Sequence, residues 1–188
     1  MLMKKSSIVL IGFMGVGKTA VGKCLADYLQ VEFIDTDLVV ETEAGMTIPE
    51  IFQRYGEKRF RALECKVVRE AAACSRKVIA TGGGVVLNPE NLRLLREKGC
   101  IILLEAQPEV IEDRLKKQGG RPLLYHGKDL RSRIQELLDE RQKYYQDCDF
   151  AVDTSDLSVE QAAKEITSLL KYQVREPEEG GDFGNPAG

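Results

Sequence analysis

The chain contains 188 residues, of which 43% are hydrophobic and 30% charged, a composition typical of one globular domain with a sizeable core. A formal net charge of −3 and a pI near 5.4 argue against a broad basic surface, so we expect no nucleic-acid partner and no membrane partner. Five scattered cysteines without a CxxC pair predict reduced thiols and a cytoplasmic location.

Short β-rich segments alternate with helical patterns along the chain. The predicted strands are SIVLIGF (7–13), VEFID (31–35), KVIAT (77–81), CIILLEA (100–106) and DFAVDT (149–154). Several of them are almost entirely apolar, as expected of strands that are covered on both faces. Alternation of strands and helices predicts a three-layer α/β/α sandwich with a mostly parallel sheet.

Helices are predicted from apolar spacing and from capping signals. The predicted helical segments are Val21 to Leu29, a long region that follows Thr47, and the ranges 108–118, 130–145 and 158–173. The long region begins with TIPE (Thr47–Glu50), which has the form of a capping box, and we expect it to bend near Gly56. We predict one domain over 1–174 and a disordered tail over 175–188, which is rich in Gly and Pro.

The segment GFMGVGKT (Gly12–Thr19) matches the pattern G-x-x-x-x-G-K-[ST] between a predicted strand and a predicted helix. In that context glycines direct backbone N–H groups at phosphate oxygens, Lys18 reaches the β/γ-phosphates, and the Thr19 hydroxyl can bind Mg²⁺. The alternative is a purely structural glycine turn. The predicted ATP-binding residues here are Gly12, Met14, Gly15, Val16, Gly17, Lys18, Thr19 and Ala20.

Two acids, Asp35 and Asp37, follow the second predicted strand. Ligands of parallel α/β sheets bind beyond the carboxyl ends of the strands, so we expect both acids near the phosphate loop. If the strand continues through Thr36, its period of two directs both side chains to one side. We place Asp35 at Mg²⁺ and Asp37 at the acceptor hydroxyl, whose proton a carboxylate can accept. The alternative for Asp37 is a solvated turn or a helix cap.

Three arginines and a glycine run complete the candidate site. Arg121 lies between Gly-Gly and Pro in a segment that we predict to be a mobile lid (about 116–128), where it would close over the transferred phosphoryl group. Arg61 and Arg141 are ordinary surface arginines when taken singly, but an anionic acceptor needs such cations. Gly82, Gly83 and Gly84 indicate either close backbone approach to a ligand or a loose turn.

The motifs GFMGVGKT, FIDTD, GEKRFRALE, TGGGVV, GGRPLL and DERQKYY, in this order and at these intervals, resemble the shikimate kinase family over roughly residues 7 to 172. The resemblance implies a nucleoside-monophosphate-kinase-like fold with a five-stranded parallel sheet. It also implies ATP-dependent phosphorylation of the shikimate 3-hydroxyl in aromatic amino-acid biosynthesis, by a monomer whose small-molecule partners are ATP and shikimate.

The resemblance also implies roles for individual residues. Asp37 resembles the aspartate that binds the shikimate hydroxyls and is the proposed base, and Arg61 with Arg141 resembles the pair that clamps the shikimate carboxylate. Gly82, Gly83 and Gly84 resemble the glycine strand end that lines the shikimate pocket. Arg121 resembles the lid arginine, and Asp35 resembles the acid near Mg²⁺. Arg114, Asp153 and Thr154 occupy the places of the adenine contacts. Glu64 either orients Arg61 or forms an ordinary exposed ion pair with it.

Two other functions remain open at the level of sequence. One is a related kinase for gluconate or a nucleoside monophosphate. The other is a nucleotide-binding regulatory module without turnover, although such a module would be expected to lose the lid arginine or the acceptor aspartate.

Overall fold

The computed structural model describes residues 7–117 and 129–173, which contain one five-stranded sheet. The strands are β1 (Ser7–Ile11), β2 (Glu32–Asp35), β3 (Lys77–Ala80), β4 (Gly99–Glu105) and β5 (Phe150–Asp153). Every pairing is parallel, in the order β2-β3-β1-β4-β5. The predicted parallel sheet is therefore confirmed, and each strand lies within two residues of its predicted bounds.

Helices connect the strands. They are α1 (Lys18–Leu29), α2 (Thr36–Ala44), α3 (Ile48–Ala73), α4 (Pro89–Lys98), α5 (Pro108–Lys117), α6 (Leu130–Tyr145) and α7 (Val159–Gln173), with a short 3-10 turn at Val85–Leu87. Helices α2 and α4 have no counterpart among the predicted elements. The start of α4 carries a detectable signal, because the Asn88 side chain accepts a hydrogen bond from the Glu90 N–H at 3.0 Å and Pro89 opens the helix.

The predicted start of α3 is confirmed in detail. Thr47 and Glu50 form a reciprocal capping box, in which each side chain bonds to the backbone N–H of the other residue. The predicted bend is also confirmed, since Gly56 interrupts the helix with φ 74° and ψ 174°. Positive φ is a backbone conformation that glycine adopts without steric cost, so this residue permits a change of direction within one long helical segment.

Strand β1 is buried along its whole length, and its side chains alternate between two cores. Ile8 and Leu10 belong to the core that α1 and α7 cover, whereas Val9 and Ile11 belong to the core that α3 and α4 cover. Each fully buried aliphatic side chain contributes about 1.5–3 kcal/mol relative to an exposed one. Packing in both cores holds β1 at the centre of the sheet. The phosphate loop begins directly after the last residue of β1.

A third and smaller apolar cluster joins α2 to α3. It consists of Val40, Ile51, Phe60 and Val67, with partly buried neighbours, and the Phe52 and Phe60 rings lie 4.8 Å apart between centroids. We refer to α2 and α3 with this cluster as the α2–α3 unit.

Two predicted segments fall wholly or mostly outside the described residues. The tail (175–188) lies outside, and of the predicted lid (about 116–128) only Lys116 and Lys117, at the end of α5, are described. Within the described ranges, no helix combines the length and the apolar composition needed to cross a bilayer.

Candidate active site at the carboxyl ends of β1, β2 and β3

The predicted phosphate loop connects β1 to α1. Gly12 has a φ of 135°, and a Cβ atom added there would lie 2.2 Å from the carbonyl oxygen of Leu104 in β4. Only glycine fits this position, because both the backbone conformation and the available space exclude a side chain. The loop is therefore packed directly against the sheet at its first residue.

Lys18 is the first residue of α1 and is buried, with 8% of its surface exposed. Its Nζ atom donates hydrogen bonds to the carbonyl oxygens of Gly12 and Phe13, both at 2.8 Å. A buried ammonium group needs such partners. The bonds hold the positive charge within the phosphate loop.

Thr19 and Asp35, the two residues predicted for the metal region, are in direct contact. The Thr19 hydroxyl donates to Asp35 Oδ2 at 2.7 Å. Mg²⁺ prefers hard oxygen ligands and usually takes one or two from the protein, with water and phosphate oxygens completing its octahedron. No group of three or more His, Cys, Asp or Glu side chains suited to a metal occurs among the described residues. The Thr19 hydroxyl and the Asp35 carboxylate are oxygen ligands of the kind that fits Mg²⁺ held jointly with a nucleotide.

The two acids lie on different elements, Asp35 at the end of β2 and Asp37 in the first turn of α2. Strand β2 ends at Asp35, because the Asp35 Oδ1 atom accepts hydrogen bonds from the N–H groups of Asp37 at 3.0 Å and Leu38 at 3.4 Å. This side chain caps α2, so the condition under which both acids would face one side, a strand that continues through Thr36, is not met. The alternative of a cap by Asp37 is wrong, since Asp37 lies in the first turn of α2.

Asp37 nevertheless lies beside the phosphate loop. A cavity of about 510 Å³ is lined by Lys18, Thr19, Asp35, Asp37, Thr81 and Gly83, among others. A phosphate held by the loop and a hydroxyl beside Asp37 would share this space. The structure thus brings together the predicted phosphate-binding, metal-region and acceptor residues.

The three consecutive glycines after β3 each meet one acceptor-side residue. A Cβ atom added to Gly82 would lie 2.5 Å from Asp37 Oδ1, and one added to Gly84 would lie 2.8 Å from Arg61 Nη1. The carbonyl oxygen of Gly83 accepts a hydrogen bond from Arg141 Nη1 at 3.1 Å. These distances show a closely packed segment and not a loose turn, and the approach of a ligand to this backbone stays a prediction. The groups that approach the backbone are protein side chains, and we call Gly82–Gly84 the glycine hub.

Two acids of α3 hold the Arg61 guanidinium. Nη1 donates to Glu64 Oε2 at 2.8 Å, and Nε and Nη2 both donate to Glu57 Oε1 at 3.2 Å. The guanidinium also lies 5.1 Å from the Phe60 ring centroid. The prediction did not include Glu57, although its position four residues before Arg61 on a helix is a usable signal.

Glu64 is not an exposed ion-pair partner, since only 1% of its surface is accessible. Its second oxygen, Oε1, is buried and has no hydrogen-bond partner among the described residues. Burial raises the pKa of the Glu64 carboxyl, while the hydrogen bond and charge of Arg61 act in the opposite direction. The interpretation in which Glu64 orients Arg61 is the one that this geometry supports.

The raised pKa of Glu64 predicts a pH dependence of stability. The folded protein binds more protons at this site than the unfolded chain does. The contribution of Glu64 to the free energy of unfolding is therefore fully present below the ordinary glutamate pKa, and it is lost as pH rises through the raised value. We expect the stability of Glu64→Gln relative to wild type to rise with pH from about pH 4, the ordinary range of the glutamate pKa, upward. Urea unfolding of both proteins across this range measures the difference. Glu70→Gln, at an exposed position of the same helix, is the control, and a pH-independent difference would contradict the expectation.

The predicted adenine-side residues Arg114 and Thr154 also come together. Arg114 donates from Nη1 to Thr154 Oγ1 at 3.0 Å and from Nη2 to the Thr154 carbonyl oxygen at 2.6 Å. The Val16 carbonyl oxygen in the phosphate loop accepts from both residues, at 3.2 Å from Arg114 and 2.9 Å from Thr154. Asp153 is exposed, and its Oδ1 atom accepts from the Ser155 N–H at 2.8 Å.

Arg121, predicted as the lid arginine, lies outside the described residues. Conversely, the structure adds three contacts that the prediction did not contain. The Arg141 guanidinium lies 5.4 Å from the Phe13 ring centroid, the Tyr145 hydroxyl donates to the Gly83 carbonyl oxygen at 3.2 Å, and the Gly82 N–H donates to Thr36 Oγ1 at 3.1 Å. Only Tyr145 has a signal in the sequence, since it follows Arg141 by four residues in one helix.

Comparison with known proteins gives one consistent result. The family model for shikimate kinase matches residues 14–171. A shikimate kinase of Pelotomaculum thermopropionicum is 52% identical over 165 residues, which cover 88% of this chain and 95% of that relative. A shikimate kinase of Caldanaerobacter subterraneus subsp. tengcongensis is 51% identical over 170 residues, 90% of this chain and 99% of that relative.

A solved structure agrees with the sequence relatives. The shikimate kinase from Acinetobacter baumannii, in complex with shikimate, has a TM-score of 0.85 and 32% identity and covers 90% of this chain and 95% of that chain. The range that the family model matches contains most of the phosphate loop and the acceptor-side residues described above. Because the family model and the relatives each span most of the chain at high similarity, the chain belongs to the shikimate kinase family.

Proposed function

We propose that the protein transfers the γ-phosphoryl group of ATP to the 3-hydroxyl of shikimate, giving shikimate 3-phosphate and ADP. The observation that carries the proposal is the glycine hub, where Asp37, Arg61 and Arg141 converge beside the phosphate loop. A carboxylate and two guanidinium groups suit a small polyhydroxylated carboxylic acid. Membership of the shikimate kinase family supports this acceptor.

On the nucleotide side, the phosphate loop would bind the phosphates through its backbone N–H groups, and Lys18 would stabilise charge on the transferred group. Thr19 and Asp35 would hold Mg²⁺, directly or through water, and that ion supplies neutralisation of β- and γ-phosphate charge when it is bound. Arg114, Asp153 and Thr154 would lie at the adenine. Arg121 stays a prediction for the arginine that closes over the phosphoryl group.

On the acceptor side, Asp37 would align the shikimate hydroxyl and accept its proton as the new P–O bond forms. Arg61 and Arg141 would bind the shikimate carboxylate, for which the guanidinium fork is geometrically suited. The backbone of Gly82, Gly83 and Gly84 would line the same pocket. We further propose a monomer in the cytoplasm; the five free cysteines agree with a reducing compartment.

The proposal is tested by measuring ADP release with shikimate, gluconate and nucleoside monophosphates as alternative acceptors. We expect rapid turnover with shikimate alone, and ³¹P NMR of the product should show phosphate on the 3-oxygen. Preference for gluconate or a nucleotide would replace the proposed acceptor. Nucleotide binding without turnover of any acceptor would favour a regulatory module instead.

The carboxylate clamp makes a separate prediction. We expect Arg61→Ala and Arg141→Ala each to lower kcat/KM for shikimate by about 10- to 100-fold, since a charge-assisted hydrogen bond contributes about 1.5–3 kcal/mol. The KM for ATP should stay near its wild-type value, because neither residue contacts the phosphate-loop backbone groups. Steady-state kinetics with each substrate varied in turn measures both quantities.

Two arginines on the same helices provide matched controls for the clamp. Arg54 of α3 is largely exposed at 4.0 Å from Glu50, and Arg133 of α6 pairs with Glu136 at 3.2 Å. Arg54→Ala and Arg133→Ala should leave kcat/KM for shikimate unchanged. Equal losses in the control and clamp variants would show that net charge, rather than the position of the guanidinium, causes the effect.

A further inference from the structure

The carbonyl oxygen of Gly83 accepts two hydrogen bonds from α6. Arg141 Nη1 donates at 3.1 Å and the Tyr145 hydroxyl donates at 3.2 Å. The two donors are four residues apart on the helix and therefore lie on the same face, one turn from each other. A carbonyl oxygen has two lone pairs, and here both donors come from one helix.

Tyr145 is fixed in place by its surroundings. Only 7% of its surface is exposed, and it belongs to the core that contains Val85 and Val86 of the turn after the glycine hub. Burial raises the pKa of the Tyr145 phenol, although the charge of Arg141 acts in the opposite direction, so the hydroxyl keeps its proton as a donor. The side chain is thus a rigid hydrogen-bond donor whose position the core determines.

Gly83 lies between α6 and the phosphate loop. A Cβ atom added to it would be 3.1 Å from the Met14 backbone nitrogen, so this peptide has little freedom to shift toward the loop. Arg141 contacts the same loop, with its guanidinium 5.4 Å from the Phe13 ring centroid. The Gly83 carbonyl therefore sets where the Arg141 guanidinium lies relative to the nucleotide site.

We propose that Tyr145 is a positioning residue for the acceptor carboxylate, an inference that rests on the proposed function and extends it. The Tyr145 hydroxyl fixes the Gly83 carbonyl, and this carbonyl orients the Arg141 guanidinium. The other N–H groups of Arg141 then face the acceptor carboxylate, while Nη1 and the Tyr145 hydroxyl keep donating to the Gly83 carbonyl, so acceptor binding leaves no carbonyl oxygen without a donor. Leaving such an oxygen unpaired is costly.

The test is Tyr145→Phe, which removes the hydroxyl and keeps the ring in the core. We expect kcat/KM for shikimate to fall about two- to ten-fold, the range of one net hydrogen bond. The loss should appear in the KM for shikimate, with kcat and the KM for ATP unchanged. Tyr144→Phe makes the same chemical change at the neighbouring position, where the ring lies beside Lys143, and should change none of these parameters.

A double-mutant cycle with Arg141→Ala separates positioning from a general structural role. If Tyr145 acts through Arg141, Tyr145→Phe should lower kcat/KM for shikimate in the wild-type background and have no further effect in the Arg141→Ala background. Equal fold losses in both backgrounds, or a matching loss in the KM for ATP, would overturn the proposal. Failure of the proposed function is distinguishable, since the wild-type protein itself would then not phosphorylate shikimate.

Discussion

Asp37→Asn should lower kcat with shikimate by about 100- to 10,000-fold, the usual contribution of a positioned general acid or base. Asparagine matches the size of aspartate but carries no negative charge and cannot take the hydroxyl proton. Asp37 lines the same cavity as Lys18 and its Oδ1 atom lies close to Gly82, so a side chain of the same size should fit without repacking. The KM for ATP should change little, because the phosphate loop is intact.

The control for Asp37 is Asp27→Asn, at an exposed position of α1. It should retain wild-type kinetics with both substrates. Single-turnover measurements at saturating shikimate and ATP isolate the transfer step from substrate binding. A kcat within about two-fold of wild type in Asp37→Asn would show that Asp37 is not the general base. Such an outcome is chemically possible, since loose phosphoryl-transfer transition states do not by themselves require a base.

Lys18→Ala should lower kcat by about 100- to 1,000-fold, as expected when one preorganised electrostatic donor is removed from a developing charge. The effect should be the same with every acceptor, since Lys18 acts on the nucleotide. The ammonium group is buried and fixed by two carbonyl oxygens at 2.8 Å. Lys18 is the one charged residue of GFMGVGKT (Gly12–Thr19), so no other side chain of the loop replaces its charge.

Because the Lys18 variant also removes a donor from the Gly12 and Phe13 carbonyls, its stability must be followed together with its activity. Thermal unfolding and far-UV circular dichroism report whether the fold persists at the assay temperature. Lys164→Ala, at an exposed position of α7, is the charge control and should retain wild-type turnover. Near-normal turnover in a folded Lys18→Ala protein would contradict the phosphate-loop mechanism.

The sequence predicted the phosphate loop because that motif is local. Its residues, the preceding strand and the following helix are all contiguous, and the physical requirements of phosphate binding restrict them strongly. The topological rule for parallel sheets then placed Asp35 and Asp37 near this loop without any knowledge of contacts.

The bounds of β2 were predicted to within one residue, but the conformation that follows Asp35 was not predicted. Strand periodicity would continue through Thr36, whereas the Asp35 carboxylate caps a helix that begins at Thr36, through the N–H groups of Asp37 and Leu38. A side chain that bonds to its own backbone competes with strand formation, and a short aspartate-rich segment gives little warning of which conformation prevails.

The convergence on the glycine hub could not be derived from local patterns. Arg141 is 58 residues from Gly83 in sequence, and their hydrogen bond depends on how α6 packs against the end of β3. Motif order suggested that the arginines act together, but only tertiary packing shows that Arg61, Arg141 and Asp37 each touch a different glycine.

The α2–α3 unit has a consequence for how such enzymes diversify. Asp37 lies on α2 and Arg61 lies on α3. These two helices share a small apolar cluster that is separate from the two cores on the faces of the sheet. Substitutions in that cluster can reshape acceptor selectivity while the side chains that stabilise the nucleotide-binding framework stay the same. The part of the chain that carries two acceptor-side residues thus has apolar contacts of its own, separate from those around β1.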